Sequence, residues 1–150
     1  MDDWSLLVDG VDFGEGPRWH DDALWYSDFH QRAVYRVTAD GARSAVYDGL
    51  DDRPSGMGWL PDGTFLVVFM TGRRVMCDRG DGRLVEYADL SSIATANCND
   101  MIVDRHGNAF VGNFGFDLEA LASFEPADLA IVRPDGSVGV AAPAMRFPHG

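Results

Sequence analysis

Long apolar runs are missing from this sequence. No stretch approaches the about 20 residues a membrane-spanning helix needs, so a membrane is not an expected partner. The start, Met1-Asp2-Asp3-Trp4, has neither the basic nor the apolar part of a secretion signal. Cysteine is scarce. Cys77 and Cys98 cannot build a disulfide framework, and a reducing, cytoplasmic setting is the expectation. Basic charge is short as well, with 12 Lys and Arg against 24 Asp and Glu and a net charge of −12. That balance speaks against nucleic acid as a partner, because phosphates are held by Lys and Arg. Also absent are a Gly-x-Ser-x-Gly nucleophile elbow, a phosphate-binding loop and a Cys-x-x-Cys pair.

What is present is a repeating pattern. The 150 residues are 46% hydrophobic and 11% aromatic, enough for a core and too apolar for an acidic disordered tail. Residues 19–28, 59–68 and 103–112 align without gaps. Each segment has an apolar residue, a polar turn, a small residue (Ala23, Gly63, Gly107) and an apolar run. Their first residues, Trp19, Trp59 and Val103, lie 40 and 44 residues apart. A second marker follows in each repeat, an Asp-Gly turn between two apolar runs. The turns are Asp40-Gly41, Asp81-Gly82 and Asp135-Gly136.

Short runs rich in β-branched and aromatic residues, ended by Gly, Pro or Asp, predict strands. Asp-Gly between two of them predicts a hairpin, since Gly accepts the positive φ of tight turns. Each repeat thus reads as four antiparallel strands, with inner strands near residues 57–59 and 101–103. A period of about 40 to 45 residues with four strands is the size of a propeller blade. The expected fold is an all-β propeller with about three blades in this chain, near residues 11–50, 51–92 and 93–145. Residues 5–8 read as a further short strand that closes the ring in its last blade. Propellers close with about four to eight blades. Three blades therefore predict a piece of a longer protein; self-association through exposed blade faces and an unrelated β-sandwich are the alternatives. The third repeat is longer because of residues 116–128, either a surface loop with one helical turn or a loop overhanging a pocket.

Candidate site residues sit just before inner strands. Gly14-Glu15-Gly16-Pro17 places a carboxylate between glycines, where a ligand can approach the backbone. Asn97-Cys98-Asn99-Asp100 stands at the matching place in the third repeat, and Phe147-Pro148-His149-Gly150 before a next inner strand. The corresponding Pro54-Ser55-Gly56 offers no strong ligand. Inner strands start at one rim of a propeller's channel, so donors from several blades converge there. Carboxylate and amide oxygens suit Ca²⁺, Mg²⁺ or Mn²⁺, and Zn²⁺ is also compatible. Each of these segments also reads as an ordinary polar loop. The remaining groups get structural expectations. Cys77 is a core residue, Cys98 has no cation beside it to activate it, and His20, His30 and His106 lie at the surface. Trp4, Trp19, Trp25 and Trp59 pack blades, Phe114 and Phe116 pack the blade or line a pocket mouth, and the turn aspartates mostly face water.

The Gly14-Glu15-Gly16-Pro17 motif and the run Asn99-Asp100-Met101-Ile102-Val103-Asp104-Arg105-His106-Gly107-Asn108-Ala109-Phe110-Val111-Gly112 resemble the senescence marker protein/gluconolactonase (regucalcin-like) family of six-bladed propellers. The resemblance covers nearly the whole chain, as the N-terminal half of that fold. It implies a divalent-metal-dependent lactone hydrolase, with a small-molecule lactone as substrate and one divalent cation, Ca²⁺, Zn²⁺, Mg²⁺ or Mn²⁺. Glu15 matches the first metal ligand and Asn99 a substrate- or metal-proximal asparagine, while Asp100 orients the loop. His149 stands where the family has a metal-binding Asn, a departure that favours a transition metal over Ca²⁺. Asn97 replaces an Arg that contacts substrate in many relatives. The third ligand, an Asp that is also the acid/base, is expected beyond Gly150. The alternatives are a non-catalytic metal- or protein-binding propeller and an inactive fragment of the lactonase.

Overall fold

The computed structural model describes residues 4–149. It is all β. The strands are β1 (Gly14–His20), β2 (Ala23–Asp28), β3 (Ala33–Thr38), β4 (Arg43–Tyr47), β5 (Pro54–Trp59), β6 (Phe65–Phe69), β7 (Arg74–Asp78), β8 (Val85–Asp89), β9 (Cys98–Val103), β10 (Ala109–Asn113), β11 (Ala127–Val132) and β12 (Val138–Met145). They form three four-stranded antiparallel meanders, β1 to β4, β5 to β8 and β9 to β12. This is the blade arrangement of a propeller. The Asp-Gly turns join the third and fourth strands of each sheet, and Gly41, Gly82 and Gly136 take φ of 85°, 78° and 81°, as the turn chemistry requires.

The inner strands β1, β5 and β9 lie side by side, with β5 between the other two. The middle sheet is buried on both faces because β6 alternates between two cores. Leu66 and Val68 pack with Val75, Met101, Val111 and Val132 of the third sheet's side. Phe65, Val67 and Phe69 pack with Val34, Met57 and Met76 on the first sheet's side. Buried side chains of this size each contribute about 1.5–3 kcal/mol relative to exposure. The third sheet leaves its other face more open, whereas the first sheet also buries Ala33, Val37 and Tyr26 on the side away from the middle sheet. Ile102 follows the buried Met101 on β9, so alternation turns it away from the middle sheet, and it is 63% exposed.

Several expectations are corrected by this packing. Trp19, expected to pack a blade, is 63% exposed on the outer face of the first sheet, and Trp4 is 94% exposed. Trp25 and Trp59 do pack, against each other and against Phe65. His20 is not a plain surface residue, since its ring stacks on Trp59 at 3.8 Å. Residues 5–8 form no strand here and run as irregular chain, so their role as a closing strand stays a proposal about the rest of a ring. The turn aspartates divide. Asp28, Asp52 and Asp78 are buried. Asp28 accepts hydrogen bonds from the amides of Asp12, Phe13, His30 and Gln31. Asp52 does the same for Arg53, Thr71 and Gly72. Their carboxylates complete loop backbones, which would otherwise leave buried donors unpaired.

Candidate functional site

One backbone irregularity recurs at the same rim of all three inner strands. On β1 the pairing jumps from Glu15↔Ser27 to Arg18↔Trp25. On β5 it jumps from Pro54↔Phe69 to Met57↔Val67, and on β9 from Cys98↔Asn113 to Met101↔Val111. Each is one extra residue on the inner strand, a bulge that bends the strand and re-aims its side chains. The ladder therefore equates Glu15 with Pro54 and Cys98, and Asn99 with Gly16 and Ser55. Glu15 and Asn99 thus stand one position apart along the ladder. Both also lie inside strands, not before them.

The bulges bring the inner strands very close, and small residues make this feasible. A Cβ on Gly56 would stand 2.3 Å from the Met101 nitrogen, and one on Gly16 3.1 Å from the Gly56 Cα. Ser27 ties the same rim together by donating its hydroxyl to the carbonyls of Ser55 at 2.8 Å and Glu15 at 3.2 Å.

Glu15 lies at this rim within electrostatic reach of two other expected site residues. Partial burial pushes the Glu15 carboxyl above its ordinary 4.5; the His149 imidazole draws it back and the Asp100 carboxylate adds to the rise. Glu15 thus feels the charge of both Asp100 and His149. Asp100 Oδ1 accepts from Arg18 Nη2 and from the Met101 amide, both at 2.8 Å. His149 is exposed at the end of the described chain, next to the buried Pro148.

Asn99 is 2% exposed and faces inward to the fold. Its Nδ2 donates to the Pro148 carbonyl at 3.1 Å, which anchors the segment carrying His149. Its Oδ1 has no hydrogen-bond partner among the described residues. A Cβ on Gly112 would stand 2.4 Å from that oxygen, so glycine is required there. Asn97 is not part of this group. It lines a different cavity of about 710 Å³, with Arg53, Arg74, Phe114, Phe116 and Glu119 around it. The long β10–β11 connection thus does border a pocket, and Glu119 on it pairs with Arg53 across the cavity. The connection holds one turn near residues 118–121. Phe114 stacks on Phe147, and Phe147 on His149, joining the cavity wall to the axial group.

The donor set fits a divalent cation as part of a ligand set. Glu15 offers an anionic oxygen, His149 an imidazole nitrogen, and Asn99 Oδ1 is an unspent buried acceptor. No group of three His, Cys, Asp or Glu gathers among the described residues. Cys98 takes no part, because burial pushes its thiol up to about 12. Arg18 had no role in the sequence reading; its partner Asp100 lies 82 residues away, and no local motif signals such a pair.

The family model for the SMP-30/gluconolactonase/LRE-like region matches residues 13–150. The chain belongs to this family. Its fold is similar to that of a gluconolactonase from Xanthomonas campestris, at 22% identity and TM-score 0.75, covering 91% of this chain and 49% of that one. It is similar to a calcium-binding protein, regucalcin, from Agrobacterium tumefaciens, at 20% identity and TM-score 0.67, covering 86% and 42%. A chain of a nidogen/laminin complex is also similar, at 16% identity and TM-score 0.71, covering 92% and 51%. The chain therefore spans about half the length of these solved relatives. No curated protein matches it in sequence. Among the described residues no helix is long and apolar enough to cross a membrane.

Proposed function

We propose that this chain supplies half of the axial site of a metal-dependent lactonase, acting on a sugar or related small-molecule lactone. The carrying observation is Glu15 at the bulged rim of the inner strands, within electrostatic reach of Asp100 and His149, in a member of the gluconolactonase-like family. Glu15 and His149 hold the cation. A bound divalent cation supplies polarisation of the lactone carbonyl and a water of lowered pKa. Asn99 fixes the His149 segment through Pro148, and its free Oδ1 is an acceptor for cation or substrate. Asp100 orients the β9 bulge. Asn97 contacts the distal part of the substrate from the larger cavity. The acid/base carboxylate comes from beyond this chain. The imidazole of His149 suits Zn²⁺ or Mn²⁺ better than Ca²⁺. Two free, buried cysteines accord with a reducing, cytoplasmic location.

The test is hydrolysis of sugar and aliphatic lactones by the protein with added Zn²⁺, Mn²⁺ or Ca²⁺. Chelation and Glu15→Gln should each abolish the reaction, and Glu15→Gln should abolish cation binding in a calorimetric titration. Undiminished hydrolysis under both treatments refutes the reading. A second reading is a non-catalytic metal- or protein-binding propeller. It is favoured by His149, which stands where the family has a metal-binding Asn. Cation binding without turnover of any lactone would select it.

A further inference from the structure

Arg18 is the side chain that joins the first sheet to the third. Its Nη2 donates to Asp100 Oδ1 at 2.8 Å and to the Met101 carbonyl at 2.6 Å, and its Nη1 donates to the Pro17 carbonyl at 2.9 Å. The side chains are 28% and 12% exposed, so the pair is largely shielded from solvent. Asp100 Oδ1 also takes the Met101 amide at 2.8 Å. That oxygen is packed into the seam of the inner strands, where a Cβ on Gly56 would come within 2.6 Å of it. One carboxylate oxygen is thus spent on the Met101 amide and on Arg18, which lies three residues along β1 from Glu15.

We propose that Arg18 is a positioning residue of the axial site: it holds the Asp100 carboxylate in the inter-strand seam, so that Glu15 is the anionic ligand presented to a cation. This rests on the metal reading above. Without Arg18, a cationic group leaves the rim and Asp100 is freed to face it. A role in folding alone would weaken cation binding when Arg18 is removed. The positioning role has the opposite sign, because the site then carries one more uncompensated negative charge.

The experiment compares the chain with Arg18→Met, Asp100→Asn and the double variant, by calorimetric titration with Mn²⁺ at low salt and by thermal melting. Arg18→Met should bind Mn²⁺ more tightly, on the order of tenfold at the distances of a shared site, and should melt lower because a shielded carboxylate has lost its partner. Adding Asp100→Asn should recover part of the melting temperature and return the affinity to that of the parent. Weaker Mn²⁺ binding in Arg18→Met, or no recovery of melting in the double variant, overturns the proposal. If Arg18→Met does not fold, Asp100→Asn alone reads the same balance, with Mn²⁺ affinity falling by a similar factor; unchanged affinity overturns it. If the parent chain takes no Mn²⁺, the metal reading and the cation part of this proposal fail together. The hold of Arg18 on Asp100 is then decided by the melting recovery.

Discussion

Replacing Gly56 by Ala tests how tightly the inner strands are drawn together. A Cβ there would stand 2.3 Å from the Met101 nitrogen, 2.6 Å from Asp100 Oδ1 and 2.7 Å from the Asp100 carbonyl carbon. Non-bonded heavy atoms settle near 3.5–4.0 Å, so β9 must retreat by about 1 Å or more. Two of the three obstructing atoms are backbone, and the third is fixed by Arg18, so no flexible side chain can yield. Overpacking costs about 1–3 kcal/mol, and a backbone obstruction places this variant near the top of that range. For a domain of this size 1 kcal/mol moves the Tm by about 2–4 °C, giving a fall of about 6–12 °C. Gly49→Ala is the control. Gly49 has φ of 63° and nothing within 4 Å of its added Cβ, so it loses only about 1–2 kcal/mol to backbone strain. Melts followed by near-ultraviolet circular dichroism compare the two. If Gly56→Ala melts no lower than Gly49→Ala, the close approach of β5 and β9 is wrong.

Asp28→Asn should destabilise the chain by about 1–3 kcal/mol, because a neutral amide oxygen cannot replace a carboxylate that serves the amides of Asp12, Phe13, His30 and Gln31; an unchanged urea midpoint would contradict this. Cys98, whose thiol burial pushes up to about 12, should resist iodoacetamide at pH 8 in the native chain and react once urea unfolds it. Labelling of native Cys98 at the rate of a free thiol would refute its placement. Asp78 sets an acid limit on stability. Burial pushes its carboxyl up, but the Tyr47 hydroxyl and the amides of Gly80, Gly82 and Asp81 outweigh that and hold it below its usual 3.8. A depressed folded value contributes stability that is present above the unfolded value and lost as pH falls through the folded one. The urea midpoint should therefore drop more steeply below about pH 4 in the parent than in Asp78→Asn, and parallel slopes would disprove the link.

The blades were legible because their signals are local. Asp40-Gly41, Asp81-Gly82 and Asp135-Gly136 stand at the hairpin turns they predict, and the apolar runs before them became the third strands. No sequence motif marks Asp28 as different from Asp40. Asp28 ends β2 and is buried because the incoming residues 12–13 fold back over it, whereas Asp40 only caps Thr38 and Ala42 in its surface turn. Trp19 misled for a related reason. An aromatic residue on a strand predicts packing, but whether its face is covered depends on which neighbouring sheet is there.

The candidate site shows the same division more sharply. In a regular strand one position decides which face a side chain takes. The bulges remove that regularity. By inserting one residue at the same place in β1, β5 and β9, they let Glu15 approach the rim while Asn99, one position further along, turns into the fold and holds Pro148. Gly16, Gly56 and Gly112 are then needed for clearance, and Arg18 becomes the side chain that closes the gap between β1 and β9. The motif Gly14-Glu15-Gly16-Pro17-Arg18 is thus a single device. Its glycine admits the neighbouring strand and its arginine fixes the opposing aspartate, so that substitutions at Arg18 and Gly56 should be felt at the proposed axial site through Asp100.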